Sequence, residues 1–173
     1  FINHKDEAVI WRGPMKHGAI RQFIKDVRWG DLDFLIIDSP PGTGDEPLAI
    51  CQLIDDPTGA VIVTTPQDVA LVDVRKSITF CGKVNMPIIG VVENMSGFTC
   101  PHCGKNVDIF RRGGGEKMAE DMKVAFLGSI PLDAEVALKG DEGNPFITAH
   151  GQSSTRNSID GIISALLKKI NVS

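Results

Sequence analysis

Apolar positions along this chain fall into two alternating patterns. Short runs that are apolar almost without a break occur at Phe34-Leu-Ile-Ile-Asp38, Ala60-Val-Ile-Val-Thr64 and Ile88-Ile-Gly-Val-Val92, with a shorter one at Val124-Ala-Phe-Leu-Gly128. Runs of this length without polar alternation predict strands buried on both faces, as in a parallel sheet covered by helices. Between the runs the spacing turns helical. Ile20, Phe23, Ile24 and Val27 follow the i, i+3, i+4, i+7 rule, and Leu71, Val74, Ile78 and Cys81 form a second stripe ending before Pro87. Ile159, Ile162, Ile163, Leu166, Leu167 and Ile170 predict a closing helix, and Gly113–Asp121 a weaker one with glycines at its start. Strands alternating with helices predict an α/β fold: a doubly wound, mostly parallel sheet with helices on both faces. Ligands of such sheets bind beyond the carboxyl ends of the strands, so chemistry is sought just after each apolar run. Thr99–Arg112 breaks the alternation. It is polar, contains glycine and carries a cysteine pair, which marks residues 99–112 as an insertion between a strand and the Gly113 helix.

Composition narrows the function classes. A length of 173 residues suits one domain with a sizeable core, and an apolar fraction of 42% is that of a soluble globular protein. The net charge of −4 gives no electrostatic case for nucleic acid or an anionic membrane as partner. No apolar run approaches the roughly 18 residues of a membrane span, and no secretory signal opens the chain. A cytoplasmic protein is expected. The first residue is Phe1 and Phe1–Glu7 shows no initiation or targeting pattern, so the protein is expected to begin upstream. Of the four cysteines, Cys51 and Cys81 sit among apolar residues and read as buried, inert thiols. Cys100 and Cys103 form the close pair, and a reducing compartment fits this distribution.

After the first apolar run comes Asp38-Ser-Pro-Pro-Gly-Thr-Gly-Asp45. An acid at the tip of a buried parallel strand is costly unless it meets a cation or donors. In P-loop enzymes that use is holding magnesium, commonly through water. The glycines let backbone N–H groups approach a phosphate, and Pro40 and Pro41 stiffen the entry. These residues read as a Walker B strand followed by a nucleotide-sensing switch loop; the plainer alternative is a strand ending in an ordinary Gly/Pro turn. Asn94, taken alone, reads as a turn residue.

Cys100-Pro-His-Cys103, followed by Gly104 and Lys105, allows several chemistries. A thioredoxin-like redox pair needs a helix start at the first cysteine, whereas the β-like Val107-Asp-Ile-Phe110 follows here. A metal knuckle uses the glycine to fold the chain back beneath the metal. Two thiolates are half a site, since structural zinc and most clusters take four ligands. No second C-x-x-C and no nearby histidine pair completes it, so the economical completion is a second copy of the knuckle across a two-fold axis. An exposed loop with incidental cysteines is the third reading. Four thiolates serve zinc and iron–sulfur clusters alike.

Six segments carry a resemblance. Trp11-Arg-Gly-Pro-Met15, Asp38–Asp45, Glu93-Asn-Met-Ser-Gly97, Cys100-Pro-His-Cys103, Gly113-Gly-Gly-Glu116 and Ile130-Pro-Leu-Asp133 stand in the order seen in Mrp/Nbp35-type (ApbC-like) ATPases. That family belongs to the deviant-Walker P-loop group that includes MinD and the nitrogenase iron protein. The resemblance spans essentially the whole chain. It implies a MinD-like (SIMIBI) P-loop NTPase fold, ATP binding with Mg2+, slow hydrolysis, a homodimer, and scaffolding of a [4Fe–4S] cluster for transfer to apoproteins. It also implies roles for particular residues. Asp38 is catalytic and holds Mg2+ through water, Gly42 contacts the terminal phosphate, Asn94 binds adenine, and Pro131, Leu132 and Asp133 flank the base. Cys100 and Cys103 bridge the cluster, or zinc, between two copies. The chain departs from the family pattern in one respect: G-x-x-x-x-G-K-[ST] does not occur in it. Residues 1–173 are therefore expected to be a single P-loop NTPase domain whose first strand and Walker A loop lie upstream, and to be inactive as an ATPase alone. The alternative function is a zinc-stapled dimeric MinD-like regulatory ATPase with no cluster role.

Other signals are weaker. Arg111 and Arg112 before Gly113 read as an anion site or, more plainly, as a solvated basic turn. His4 and His150 read as surface residues. The chemistry of Trp11–Met15, Lys16 and His17 is not evident from their pattern.

Overall fold

The computed structural model describes residues 12–100, 102–148 and 153–172 of the chain, which divides into two units, Phe1–Pro57 and Thr58–Ser173. Trp11, His4 and His150 lie outside the described residues. The first unit contains α1 (Gly13–Lys25) and α2 (Asp45–Leu53). The second runs β1 (Ala60–Thr64), α3 (Asp68–Lys83), β2 (Ile88–Glu93), β3 (Phe98–Thr99), β4 (Asn106–Val107), α4 (Gly114–Asp121), β5 (Phe126–Ser129), α5 (Ala134–Asp141) and α6 (Ser154–Lys169). A 3-10 turn, Phe146–Thr148, precedes α6.

The second unit is built on a parallel sheet in the order β1-β2-β5. Its central strand β2 is apolar on both faces, and consecutive residues serve opposite layers. Val91 packs with Ile78 of α3 and with Met118 and Ala119 of α4. Val92 packs with Leu127 of β5 and Ile162 of α6. Helices therefore cover both faces of β2, as its unbroken apolar run predicts, whereas in β1 the expected burial on both faces is not met: Val61 and Val63 are exposed. The α3 stripe is realised: Ile78 and Cys81 are buried, Leu71 and Val74 lean on the same core, and Val69 and Val72 face outward. In α6 the stripe narrows to Ile162 and Ala165 at the sheet, with Ile163 turned out. That helix is capped by Ser153, whose hydroxyl accepts from Arg156 N at 3.1 Å, and it ends on Lys168 and Lys169, suited to its negative pole.

The first unit corrects one expectation. Phe34–Asp38 forms no strand: residues 34–40 run without regular structure, and Ile36 is 90% exposed. A strand exists only through its ladder, and no described residue pairs with this segment. Within the unit, the run lies by α1 instead: Ile20, Phe23 and Ile24 of that helix share an apolar groove with Leu35, Ile36 and Ile37. The fourth position of the predicted stripe, Val27, falls beyond the helix end. Lys16 of α1 pairs with Glu46 of α2 at 2.5 Å, which raises the lysine pKa and lowers that of the carboxylate. No helix among the described residues is long and apolar enough to cross a membrane.

Candidate functional site

Beyond the carboxyl ends of β2 and β5 the two chains continue side by side. Ile130 N donates to Glu93 O at 2.8 Å, Ser96 N to Ile130 O at 2.9 Å and Leu132 N to Gly97 O at 2.8 Å. Asn94 N donates to Thr64 O at 2.7 Å, which ties the same turn to β1. These bonds bring Asn94 and Pro131–Asp133 together at one end of the sheet. Asn94 is half-buried, and its Oδ1 accepts from Met95 N at 2.9 Å. That bond orients the side-chain amide, whose nitrogen remains a donor for a ligand. Asp133 is committed differently. Its Oδ1 caps α5 by accepting from Glu135 N at 2.9 Å, and its Oδ2 accepts from Thr155 Oγ1 at 2.7 Å.

Glu93 ends β2 fully buried, and its carboxylate carries more bonds than any residue singled out from the sequence. Oε1 accepts from Ser96 Oγ at 2.5 Å and from Gly113 N at 2.8 Å, while Oε2 accepts from Gly115 N at 2.5 Å. The α4 N-terminus thus rests on a buried carboxyl group whose two oxygens meet three donors, which offsets the cost of burying so polar a side chain. The approach requires glycine: a Cβ on Gly115 would stand 2.9 Å from Thr64 Cγ2 and 3.1 Å from Glu93 Cβ.

Between Ser96 and Gly113 the chain leaves the sheet and returns. β3 and β4 pair antiparallel, Phe98 with Val107 and Thr99 with Asn106. The pair is closed by Cys100 N to Lys105 O at 2.9 Å and Gly104 N to Cys100 O at 2.8 Å, with Gly104 at φ +68°. The turn aims backbone N–H groups at the first thiol. Donation from Cys103 N–H, then from His102 N–H, lowers the Cys100 pKa below its usual range. Cys100 is half-buried and Cys103 exposed. No helix starts at the pair, so the dipole that activates a redox C-x-x-C is not supplied here. Among the described residues no group of three or more metal-ligating side chains occurs, so the turn brings together two thiols, half of the four ligands a structural zinc or cluster site takes. The other cysteines sit apart: Cys81 is buried, and burial raises the pKa of Cys51.

The profile of the NUBPL iron-transfer P-loop NTPases, within the ParA group, matches residues 1–167. The chain belongs to this family. An iron-sulfur cluster carrier protein of Methanocaldococcus jannaschii is 53% identical over 162 residues, covering 94% of the chain and 55% of that protein. Cytosolic Fe-S cluster assembly factor nubp2 of Danio rerio is 51% identical over 172 residues, covering 98% of the chain and 64% of that protein. The chain thus spans 55% to 64% of the length of these relatives. A nucleotide-binding protein of Archaeoglobus fulgidus, solved in complex with ADP, superimposes with a TM-score of 0.66 at 42% identity over 75% of the chain and 53% of its own. The cell division ATPase MinD of Pyrococcus furiosus gives 0.62 at 20% identity, over 93% and 63% respectively, a likeness of fold alone. The resemblance and the fold class drawn from the residues both hold.

In this NUBPL-type chain the remaining candidates lie in the first unit. Asp38 is exposed, has no hydrogen-bond or ion-pair partner among the described residues, and borders the apolar groove of Leu35, Ile36 and Ile37. Gly42 adopts φ +94°, and Gly44 caps α2. Arg111 pairs with Asp68 at the start of α3, which makes the basic turn an ion-paired surface. Sequence reasoning passed over Glu93. The available signal was an acid directly after an unbroken apolar strand, which must find donors if it stays buried.

Proposed function

We propose that this chain is the nucleotide-switch and metal-binding part of an ATP-dependent iron–sulfur cluster carrier that passes clusters to apoproteins. The observation that carries the reading is the Cys100–Cys103 knuckle, with the first thiol held below its usual pKa by backbone N–H groups and the second exposed. A thiolate, not a thiol, ligates iron or zinc, so a turn that favours the anion favours metal. Two thiolates from each of two copies complete the four that a [4Fe–4S] cluster takes, which makes the carrier a homodimer. The relatives named as cluster carriers and assembly factors support this reading over a zinc-stapled regulatory ATPase, and those named cytosolic support a cytoplasmic location.

For the nucleotide, Asn94 offers the purine edge a donor from an oriented amide, and Pro131 and Leu132 offer a half-buried apolar flank. Asp133 shapes that flank through its cap on α5. The relative solved with ADP supports a nucleotide as the ligand. In the other unit, Asp38 is a carboxylate without a partner among the described residues, suited to hold Mg2+ through water as the catalytic acid, and Gly42 leaves room for backbone contact with the terminal phosphate. Magnesium, when bound, supplies charge neutralisation on the phosphates. Residues 1–173 are read as one NTPase domain with 99–112 as its metal-binding insertion. ATP hydrolysis is assigned to the full-length protein and not to this segment, because the sequence contains no G-x-x-x-x-G-K-[ST] cradle.

Anaerobic iron–sulfide reconstitution of the full-length protein tests the reading, beside a Cys100→Ala/Cys103→Ala variant. About four irons per dimer, lost in the variant, is the expected result. Cysteine-dependent zinc without iron uptake would leave only the zinc-stapled ATPase.

A further inference from the structure

The cysteine excursion leaves the sheet at Ser96 and returns at Gly113, and both ends meet on one atom. Glu93 Oε1 accepts from Ser96 Oγ at 2.5 Å and from Gly113 N at 2.8 Å. The other oxygen takes Gly115 N at 2.5 Å, so α4 is held by the same group. Glu93 is also the residue before Asn94, and its carbonyl accepts from Ile130 N, one residue before the Pro131–Asp133 flank. A single buried side chain therefore stands between the proposed base-contacting turn and the root of the metal knuckle.

We propose that Glu93 is the positioning residue through which the nucleotide turn and the cysteine knuckle act on each other. This rests on the carrier reading above. The physical basis is the intolerance of a buried carboxylate for lost donors. If a ligand at Asn94 shifts the turn that carries Ser96, Glu93 must either follow or lose that donor. Following it moves Gly113 and Gly115, which set one end of the excursion and the start of α4. The leverage runs both ways: metal that fixes the excursion fixes Gly113, and through Glu93 it biases the turn. Reciprocity is a thermodynamic requirement, so metal must alter nucleotide affinity by the factor with which nucleotide alters metal affinity. A carboxylate is needed because both oxygens accept. In glutamine one of these positions becomes an NH2 group that faces a donor.

The test measures ADP affinity of the full-length protein, zinc-free and zinc-loaded, in wild type, Glu93→Gln and Ser96→Ala, with Cys100→Ala/Cys103→Ala as the control for zinc bound elsewhere. In wild type, zinc should change ADP affinity by about fivefold or more. In Glu93→Gln that ratio should fall to within about twofold of unity, and Ser96→Ala should lie between, although zinc still binds through the cysteines. A Glu93 that merely stabilises the fold would lower the melting temperature and leave the ratio at its wild-type value, which overturns the proposal. Ser96→Ala keeps both glycine N–H bonds to Glu93 and so decides the matter if Glu93→Gln does not fold; an unchanged ratio there also counts against it. A wild-type ratio of one overturns the coupling while leaving the carrier reading intact. Zinc or iron uptake that does not need the cysteines overturns the carrier reading itself.

Discussion

Thr155 and Asp133 share a hydrogen bond of 2.7 Å that joins the first turn of α6 to the residue capping α5. The same carboxylate accepts from Glu135 N, so the flank of the proposed base site is positioned by a group that serves two helix starts. In the proposed base site, Asp133 would act on a nucleotide only by shaping Pro131 and Leu132.

Thr155→Val tests this with little change of shape. The hydroxyl is removed, Asp133 Oδ2 loses its donor, and the α5 cap remains. Urea unfolding should show a loss of about 1–3 kcal/mol, the cost of an unmet partly buried acceptor. ADP affinity of the full-length protein should fall with it. Unchanged stability would mean that water replaces the threonine without cost.

Met118 is fully buried, where α4 packs against Val91 and Ile78. Met118→Ala should destabilise the protein by about 2–5 kcal/mol in denaturant titration, since it deletes core volume between a helix and the central strand. An exposed apolar residue such as Val69 on α3 should cost less than about 0.5 kcal/mol when changed to Ala.

What could be read from residues alone follows from where the information lies. Ala60–Thr64 and Ile88–Glu93 are apolar in composition and pair as parallel strands, with continuous register from Val61 opposite Gly90 to Thr64 opposite Glu93, so local composition and tertiary partner agree. Phe34–Ile37 has the same composition without a ladder, because pairing is a property of two segments and is not written in one. α2 and α5 escaped detection for a different reason. Each is short, and in α5 Leu138 faces solvent, so no apolar stripe marks it. The cysteine spacing was legible as a knuckle; the backbone cradle around Cys100 was not. The donors of Glu93 include N–H groups 20 and 22 residues downstream, a separation that no local pattern reports.

The thiols should separate in a pH titration. Hydrogen bonds from Cys103 and His102 N–H lower the Cys100 pKa below 9.0, whereas burial raises that of Cys51 above it. The thiolate is the nucleophile, so alkylation of Cys100 should rise at lower pH than alkylation of Cys51, as followed by peptide mass spectrometry. The sign for stability follows. A depressed folded-state pKa contributes stability that is present above the unfolded thiol pKa and is lost as pH falls through the folded one. Metal binding should weaken over the same falling window, as protons compete for the sulfur. Coincident titration of Cys100 and Cys51 would show that the turn does not hold its N–H groups on the sulfur in solution.

Gly104 sets how well that turn is prepared for metal. Its φ is +68° and nothing lies within 4 Å of where a Cβ would sit, so substitution meets a backbone cost and no steric clash. Gly104→Ala should therefore cost about 1–2 kcal/mol in the apo knuckle, the usual penalty for a side chain in the left-handed region. Metal that needs the closed turn inherits the penalty, which lowers zinc affinity by roughly tenfold in competition against a chelator. Asparagine tolerates this region, so Gly104→Asn should recover most of the loss. The expected order is glycine, then asparagine, then alanine. Equal affinity in all three would mean that the backbone cost at residue 104 is the same with and without metal, so that closing the turn through the Gly104 N–H to Cys100 O bond is not what metal binding draws on.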